Sequence, residues 1–243
     1  MHTALNSRID ALLAGLAMPI GRVGEQMIVS GIGKRARHGA VWLSLNGLEG
    51  DEQGDRIYHG GPDKALHHYA ADHYAAWNRS FPDSGTEFIA GAFGENLSTF
   101  GITERDVHVG DVFRAGTTLL QVSQARQPCF KLNLRLGFDD AAMTMQASGL
   151  TGWYYRVLRE GWLAAGDMLE LVDRRCPDWP LARVIGALFP ADLAAPCLLD
   201  EWRLAAALPE LAQRWRVAFE RRLQTGLIED WSMRLHGPGG IQR

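Results

Sequence analysis

Two neighbouring stretches, Val107-His-Val-Gly-Asp-Val-Phe113 and Leu119-Leu-Gln-Val-Ser-Gln-Ala125, decide the fold. Within the second, Leu120-Gln121-Val122-Ser123 alternates apolar and polar side chains, the period of a strand with one face buried. In the first, Val109-Gly-Asp-Val-Phe113 reads as the start of a hairpin, with Asp111 satisfying turn backbone rather than touching a substrate. Outward from here, short apolar segments broken by Gly, Asp and Asn run from Gln26 to about Asp173 and predict a β-rich barrel. Expected strands are 26–32, 40–45, 65–69, 107–113, 119–125, 154–158 and 168–172. Segments 71–81 and 139–148, both poor in β-branched residues, read as helices that interrupt the barrel.

After Pro177 the texture changes to Ala, Leu and Arg with few turn signals until Gly226. Leu208, Leu211, Ala212, Trp215, Ala218, Phe219 and Leu223 recur at helical spacing, and Pro209 suits a first helical turn. Further helices are expected over 181–188, 198–207 and 228–235, giving a compact bundle of about three with a last docking helix. The aromatic residues of this tail read as core. The expected organisation is therefore mainly β with α: an N-terminal extension over 1–19, a barrel over 20–175, and a helical bundle over 176–243.

Composition narrows the function. The chain has 243 residues, 47% apolar and 22% charged, within the range of folded proteins. Its net charge of −3 gives no overall field for a polyanion, and neither part, divided at residue 175, is a basic arm. Nucleic-acid binding is disfavoured. At the start, Asp10 interrupts the apolar run and only Arg8 flanks it, so no signal peptide is read. No apolar run approaches the roughly 18 residues of a membrane span, which predicts a cytoplasmic protein. Three cysteines, Cys129, Cys176 and Cys197, without CxxC spacing, argue against a disulfide framework or structural zinc.

The chemistry gathers in a few motifs. Gln124-Ala-Arg-Gln-Pro-Cys-Phe-Lys-Leu-Asn133 sets the Cys129 thiol between Arg126 and Lys131, a setting that favours thiolate. If the segment is extended, Lys131 shares a side with Cys129; if it turns helically after Pro128, Arg126 approaches instead. The bland alternative is a buried, inert cysteine. Cys176 and Cys197 lack such company. In Tyr58-His-Gly-Gly-Pro-Asp-Lys-Ala65, Gly60 and Gly61 allow close backbone approach, with His59 and Lys64 as pocket candidates suited to an anion. The chain has only three lysines, Lys34, Lys64 and Lys131, and two fall in these motifs. Gly31-Ile-Gly-Lys34 lacks the spacing of a phosphate loop and is set aside. Strand alternation allows at most one of His67 and His68 to face inward, and His68 is the minor pocket candidate. No familiar metal spacing joins them. Glu95 and Asn96 of Phe93-Gly-Glu-Asn-Leu97 suit the hydrogen-bonding edge of a heterocycle, although the motif alone is a tight turn.

The ordered series GLEGDEQ, HGGPDKALHHY, FGENLS, VGDVFR and QARQPCFKLN resembles the MOSC family, named for the C-terminal domain of molybdenum cofactor sulfurase. The order, Ile228-Glu-Asp230 and the helical tail resemble its YiiM-type subgroup, associated with resistance to hydroxylaminopurine and related N-hydroxylated bases; the resemblance spans about Ile20 to Leu235. It implies a MOSC-type β-barrel with a C-terminal three-helix bundle and a molybdopterin-type molybdenum cofactor in the barrel cleft. It also implies Cys129 as the molybdenum ligand, with His59 and Lys131 beside it in catalysis. Lys64, Glu95, Asn96, Arg126 and Asn133 then fall around the cofactor, and His68, the minor pocket candidate read from the residues, is placed with them. The implied activity is reduction of small N-hydroxylated compounds. Electrons would come from a separate flavoprotein reductase, since the chain carries no flavin or nicotinamide fingerprint; a homodimer is an allowed assembly. Two alternatives stand: a persulfide carrier on Cys129, or a pterin- or purine-binding module without catalysis.

Overall fold

The structure, a computed structural model, describes residues 5–55 and 60–238. Its strands are β1 (Asn6–Ala14), β2 (Met18–Val23), β3 (Gln26–Ser30), β4 (Arg35–Ala36), β5 (Val41–Ser44), β6 (Gly47–Leu48), β7 (Leu66–Ala70), β8 (Leu97–Thr99), β9 (Val112–Ala115), β10 (Thr118–Ala125), β11 (Trp153–Arg159), β12 (Gly161–Leu163) and β13 (Met168–Asp173). Seven of them run in the order β13-β9-β10-β11-β7-β8-β1, and pairing of β13 with β1 closes the barrel. Closure removes the exposed edges that an open sheet of this size would carry. The pairings within the barrel are antiparallel except β7 with β8. Strands β2 and β3 form a separate hairpin.

The alternation read in 120–123 does place Leu120 and Val122 in the core. The expected strand over 107–113 survives only at its end, because Asp111 accepts the His108 amide at 2.9 Å and bends the preceding residues into a turn. The expected N-terminal extension over 1–19 is corrected more substantially: β1 lies inside the barrel between β8 and β13, with Ile9, Leu12 and Leu13 buried. The bulge between Ile9 and Ala11 puts Asp10 out of step, so Asp10 interrupts the apolar pattern without ending the strand.

The helices are α1 (Tyr74–Ser80), α2 (Lys131–Leu136), α3 (Ala141–Ser148), α4 (Leu181–Leu188), α5 (Leu198–Ala206), α6 (Gln213–Thr225) and α7 (Ser232–His236). Helices α4 to α6 form the three-helix unit, with Trp202, Trp215 and Phe219 in its core as expected. Pro209 is not in a first turn. The Ala212 amide bonds to the Ser123 carbonyl of β10 at 2.9 Å, which ties residues 208–212 to the barrel and delays α6 to Gln213. The last helix starts late because Asp230 accepts from the Ser232 amide at 2.8 Å and Glu229 is drawn to the buried Arg222. Barrel and bundle share one continuous apolar core, so the chain change at Pro177 marks a change of element type within a single packed body. A second core, including Tyr69, Phe93, Leu132, Met145 and Leu235, packs α1, α2, α3 and α7 together.

Candidate functional site

The Cys129 loop leaves the end of β10 and turns directly into α2. The Leu132 amide bonds to the Cys129 carbonyl at 2.9 Å, so the segment after Pro128 is helical in its first turn. Cys129 is partly exposed and lines a cleft whose empty volume, counted to its open mouth, is about 590 Å³. Cys129 is therefore not sealed in the core. By contrast, Cys176 is buried, with its thiol pushed up to about 12 by burial and then by Glu210, and Cys197 is exposed away from the cleft.

All three lysines of the chain, Lys34, Lys64 and Lys131, line this one cleft together with Arg126. They reach it from three separate segments, which explains why linear spacing showed only part of the set. Arg126 is fixed by its amide to the Gly152 carbonyl at 3.0 Å and by its guanidinium to the Phe93 carbonyl at 2.6 Å. Lys64 leaves a short 3-10 turn at Pro62–Lys64 and lies over the Tyr154 ring, 5.6 Å from its centroid. Burial, then the charge of Arg214, lowers its pKa to about 8. Burial lowers Lys34 as well, against the opposing pull of Asp51.

Lys34 had been set aside, yet it pairs with buried Asp51 inside the cleft. Asp51 also accepts the Gly15 amide at 3.0 Å and the Asn96 side-chain amide at 3.0 Å. Gly31 in the discarded GIGK run has a steric role: a Cβ there would sit 1.8 Å from the Glu52 carbonyl oxygen. The glycine lets the end of β3 press against the 51–54 loop. Similarly, Gly94 has φ +74 and lies against Ile32, which accounts for the glycine of FGEN.

Several expected site residues do something else. Asn96 lines the cleft, but its oxygen accepts the His67 amide at 3.0 Å and its nitrogen donates to Leu13 and Asp51. Through the last of these bonds it holds Asp51 at the cleft wall. Glu95 is fully buried and turned away: it accepts from Tyr74 and from the Gly91 and Phe93 amides at 2.5 and 3.0 Å, closing its own turn. Asn133 spans the Leu235 carbonyl at 2.9 Å and the Ala142 amide at 2.8 Å, joining α2 to α3 and α7, and does not line the cleft. His59 lies outside the described residues.

The histidine expectation reverses. Both His67 and His68 are buried, because β7 is covered on both faces. His68 is on the barrel side, between the Tyr155 hydroxyl at 3.0 Å and the Thr99 hydroxyl at 2.9 Å, and burial lowers its pKa to about 3. His67 is the one lining the cleft, its ring tilted against Tyr154 at 4.9 Å. Burial, then Arg126, holds it well below the usual histidine range, and its Nε2 is buried without a hydrogen-bond partner among the described residues. His67 is therefore a neutral ring with an unspent polar atom at a cationic cleft.

Arg234 was missed altogether, since it lies 105 positions beyond Cys129 in an unremarkable basic turn. Its guanidinium donates to the Pro128 carbonyl and to Gln146 Oε1 at 2.5 Å. Its own carbonyl accepts the Phe130 amide at 2.7 Å, so one residue of α7 grips both neighbours of Cys129. Phe189 and Trp231 lie 5.4 and 5.9 Å from the guanidinium. Burial brings its pKa down to about 10, leaving the group charged at neutral pH.

Taken together, the cleft offers one soft sulfur ligand and a set of cations suited to an oxyanion or phosphate. Among the described residues, no three His, Cys, Asp or Glu side chains gather as a metal-ion site. The described helices include none long and apolar enough to cross a membrane.

Comparison with known proteins places the same features in context. Residues 55–170 match the MOSC domain, and residues 196–226 match the YiiM-like 3-alpha helix domain. The chain is 43% identical over 210 residues to protein YiiM of Escherichia coli strain K12, covering 86% of this chain and 91% of that protein. The crystal structure of YiiM from Escherichia coli superposes with a TM-score of 0.75 at 35% identity, covering 95% of this chain and 98% of that one. A protein of Gibberella moniliformis named "Reductase" is 38% identical over 165 residues, which cover 68% of this chain but 29% of that longer protein.

Proposed function

The chain belongs to the MOSC-domain family, in its YiiM-like branch, and from that premise we propose that it is a molybdenum-cofactor-dependent reductase of small N-hydroxylated bases such as hydroxylaminopurine. The observation that carries this reading is the convergence of Cys129 with Lys34, Lys64, Lys131 and Arg126 on one cleft. A thiolate is a soft ligand suited to molybdenum, and the cations suit the phosphate of a pterin cofactor. The unpartnered Nε2 of His67 adds a polar contact for a ligand in the same cleft. The donor set therefore fits such a group, which when bound supplies two-electron redox chemistry to the site.

The protein's own residues divide the remaining work. Cys129 serves as the metal ligand, held in place through its neighbours by Arg234. Lys64 and Lys131 neutralise anionic charge. Lys34 is largely compensated by Asp51, so it shapes the cleft wall more than it attracts anions. The overall reaction takes R–NHOH, two electrons and two protons to R–NH2 and water. The electrons are assigned to a separate flavoprotein reductase. Support for that comes from the fungal relative named as a reductase, most of whose length lies outside the matched region. The cytoplasm, where such a partner and reduced cysteines are available, is the assigned compartment.

The test is reduction of hydroxylaminopurine by purified, cofactor-loaded protein with an electron-donating reductase. Wild type is expected to turn over and Cys129→Ala to be inactive; equal rates would reject the ligand role. Sulfur transfer would instead show as a persulfide on Cys129, by mass spectrometry, in protein free of pterin and molybdenum.

A further inference from the structure

A second opening adjoins the cleft and differs from it in character. It has an empty volume of about 940 Å³ and is lined by Met27, Val29, Phe130, Lys131 and Pro238, among others. It shares Gly54 and Lys131 with the cysteine cleft, so the two are continuous. The inner cleft has cations on several sides, whereas this outer groove sets the apolar side chains of Met27, Val29 and Phe130 beside the polar Gln26, Asp55 and Lys131. One wall is the β2–β3 hairpin; the other is Phe130, next to Cys129, with its ring packed on Gly237.

The hairpin wall is built in an unusual way. Within β3, Ile28 and Ser30 are buried, while the alternate residues Met27 and Val29 are 46% and 37% exposed. A two-stranded ribbon is marginal by itself. Here Gly31 and Gly54 allow backbone to press on backbone, a Cβ on Gly54 falling 2.6 Å from the Val29 carbonyl oxygen. The ribbon is thus pinned beside the cleft with two large apolar side chains left facing the groove and solvent. Exposing Met and Val at a ligand cleft has a use when an apolar ligand covers them, and methionine adapts well to flat rings.

We infer that this groove is the ring-binding subsite for the substrate, taking a planar heteroaromatic base against Met27, Val29 and Phe130. The inference rests on the proposed reduction. With the inner cleft given to an anionic group, the N-hydroxyl end must enter at the Gly54–Lys131 junction, and the ring must trail into the groove. The groove then sets specificity for aromatic over small aliphatic N-hydroxyl compounds, with Met27 and Phe130 as the residues that determine it.

The test uses the full-length protein and two readouts. Equilibrium dialysis measures hydroxylaminopurine binding to wild type, Met27→Asp and Phe130→Leu, with Met143→Ser, an exposed methionine of α3 outside the lining, as control. The expected result is at least tenfold weaker binding for Met27→Asp, several-fold weaker for Phe130→Leu, and less than twofold change for the control. Turnover then gives the ratio of kcat/KM for hydroxylaminopurine over hydroxylamine, which has no ring; Met27→Asp is expected to lower that ratio at least tenfold. Unchanged binding and an unchanged ratio in both groove variants overturn the inference. If wild type binds the base but reduces neither compound, the proposed reaction fails, and the dialysis result alone decides the groove.

Discussion

Replacing Arg234 with methionine keeps an apolar stem between Phe189 and Trp231 but removes the donors that hold the Cys129 loop. Two acceptors then lose a charged partner, the Pro128 carbonyl and Gln146 Oε1. A hydrogen bond from a charged group contributes about 1.5–3 kcal/mol. Both acceptors are partly buried and solvent replaces part of each bond, so about 3 kcal/mol in total is expected for local docking of α7. At 1.4 kcal/mol per factor of ten, the Phe130 amide, bonded to the Arg234 carbonyl, should exchange with solvent about 100-fold faster. Hydrogen exchange followed by NMR on ligand-free protein measures this directly. The Val122 amide in β10, bonded to Asp111 far from α7, should be unaffected. Exchange at Phe130 equal to that of wild type would refute the idea that α7 holds the cysteine loop.

Other consequences follow from the same geometry. Lys64 has its pKa lowered to about 8, so it is charged below that pH and neutral above it in the folded state; phosphate affinity measured by calorimetry should fall as pH rises past about 8, and Lys64→Met should lose that step. His68 has a folded pKa of about 3 against about 6.5 when unfolded, so the unfolded chain takes up a proton that the folded ring refuses. Stability should therefore drop as pH falls below 6.5, with His68 alone contributing about 2 kcal/mol between pH 7 and 5. Denaturant titration of His68→Gln should show a correspondingly smaller acid loss, and an identical loss would contradict the assignment. Gly31→Ala drives a Cβ to within 1.8 Å of the Glu52 carbonyl, and the forced backbone shift should cost about 3 kcal/mol in a thermal melt. A variant as stable as wild type would show that the β3 end is free to move.

Local pattern was enough to read the strands and helices that bury a face. The periodic segments 119–125, 154–158 and 181–188 fall on β10, β11 and α4 within a residue or two. Where burial is two-sided, the rule of alternation failed: β7 has every residue buried, and the choice between His67 and His68 came out reversed. Long-range contacts were likewise invisible. Nothing local marks β1 as the strand that closes the barrel, because its apolar pattern is offset by the bulge at Asp10. The thiol and its cations were legible from their neighbours in the chain. Asp51 as the partner of Lys34, and Arg234 as the clamp on the cysteine loop, depend on pairings 17 and 105 or so positions apart and needed the fold. One clue was available: with only three lysines in 243 residues, Lys34 belonged with the other two.

The central claim is that the Cys129 sulfur, facing the cationic cleft, is the ligand through which the protein holds molybdenum. X-ray absorption at the molybdenum edge on cofactor-reconstituted protein tests it most directly. The account predicts that Cys129→Ser removes one sulfur from the metal's coordination shell and leaves the pterin bound. Identical sulfur coordination in wild type and variant would contradict it.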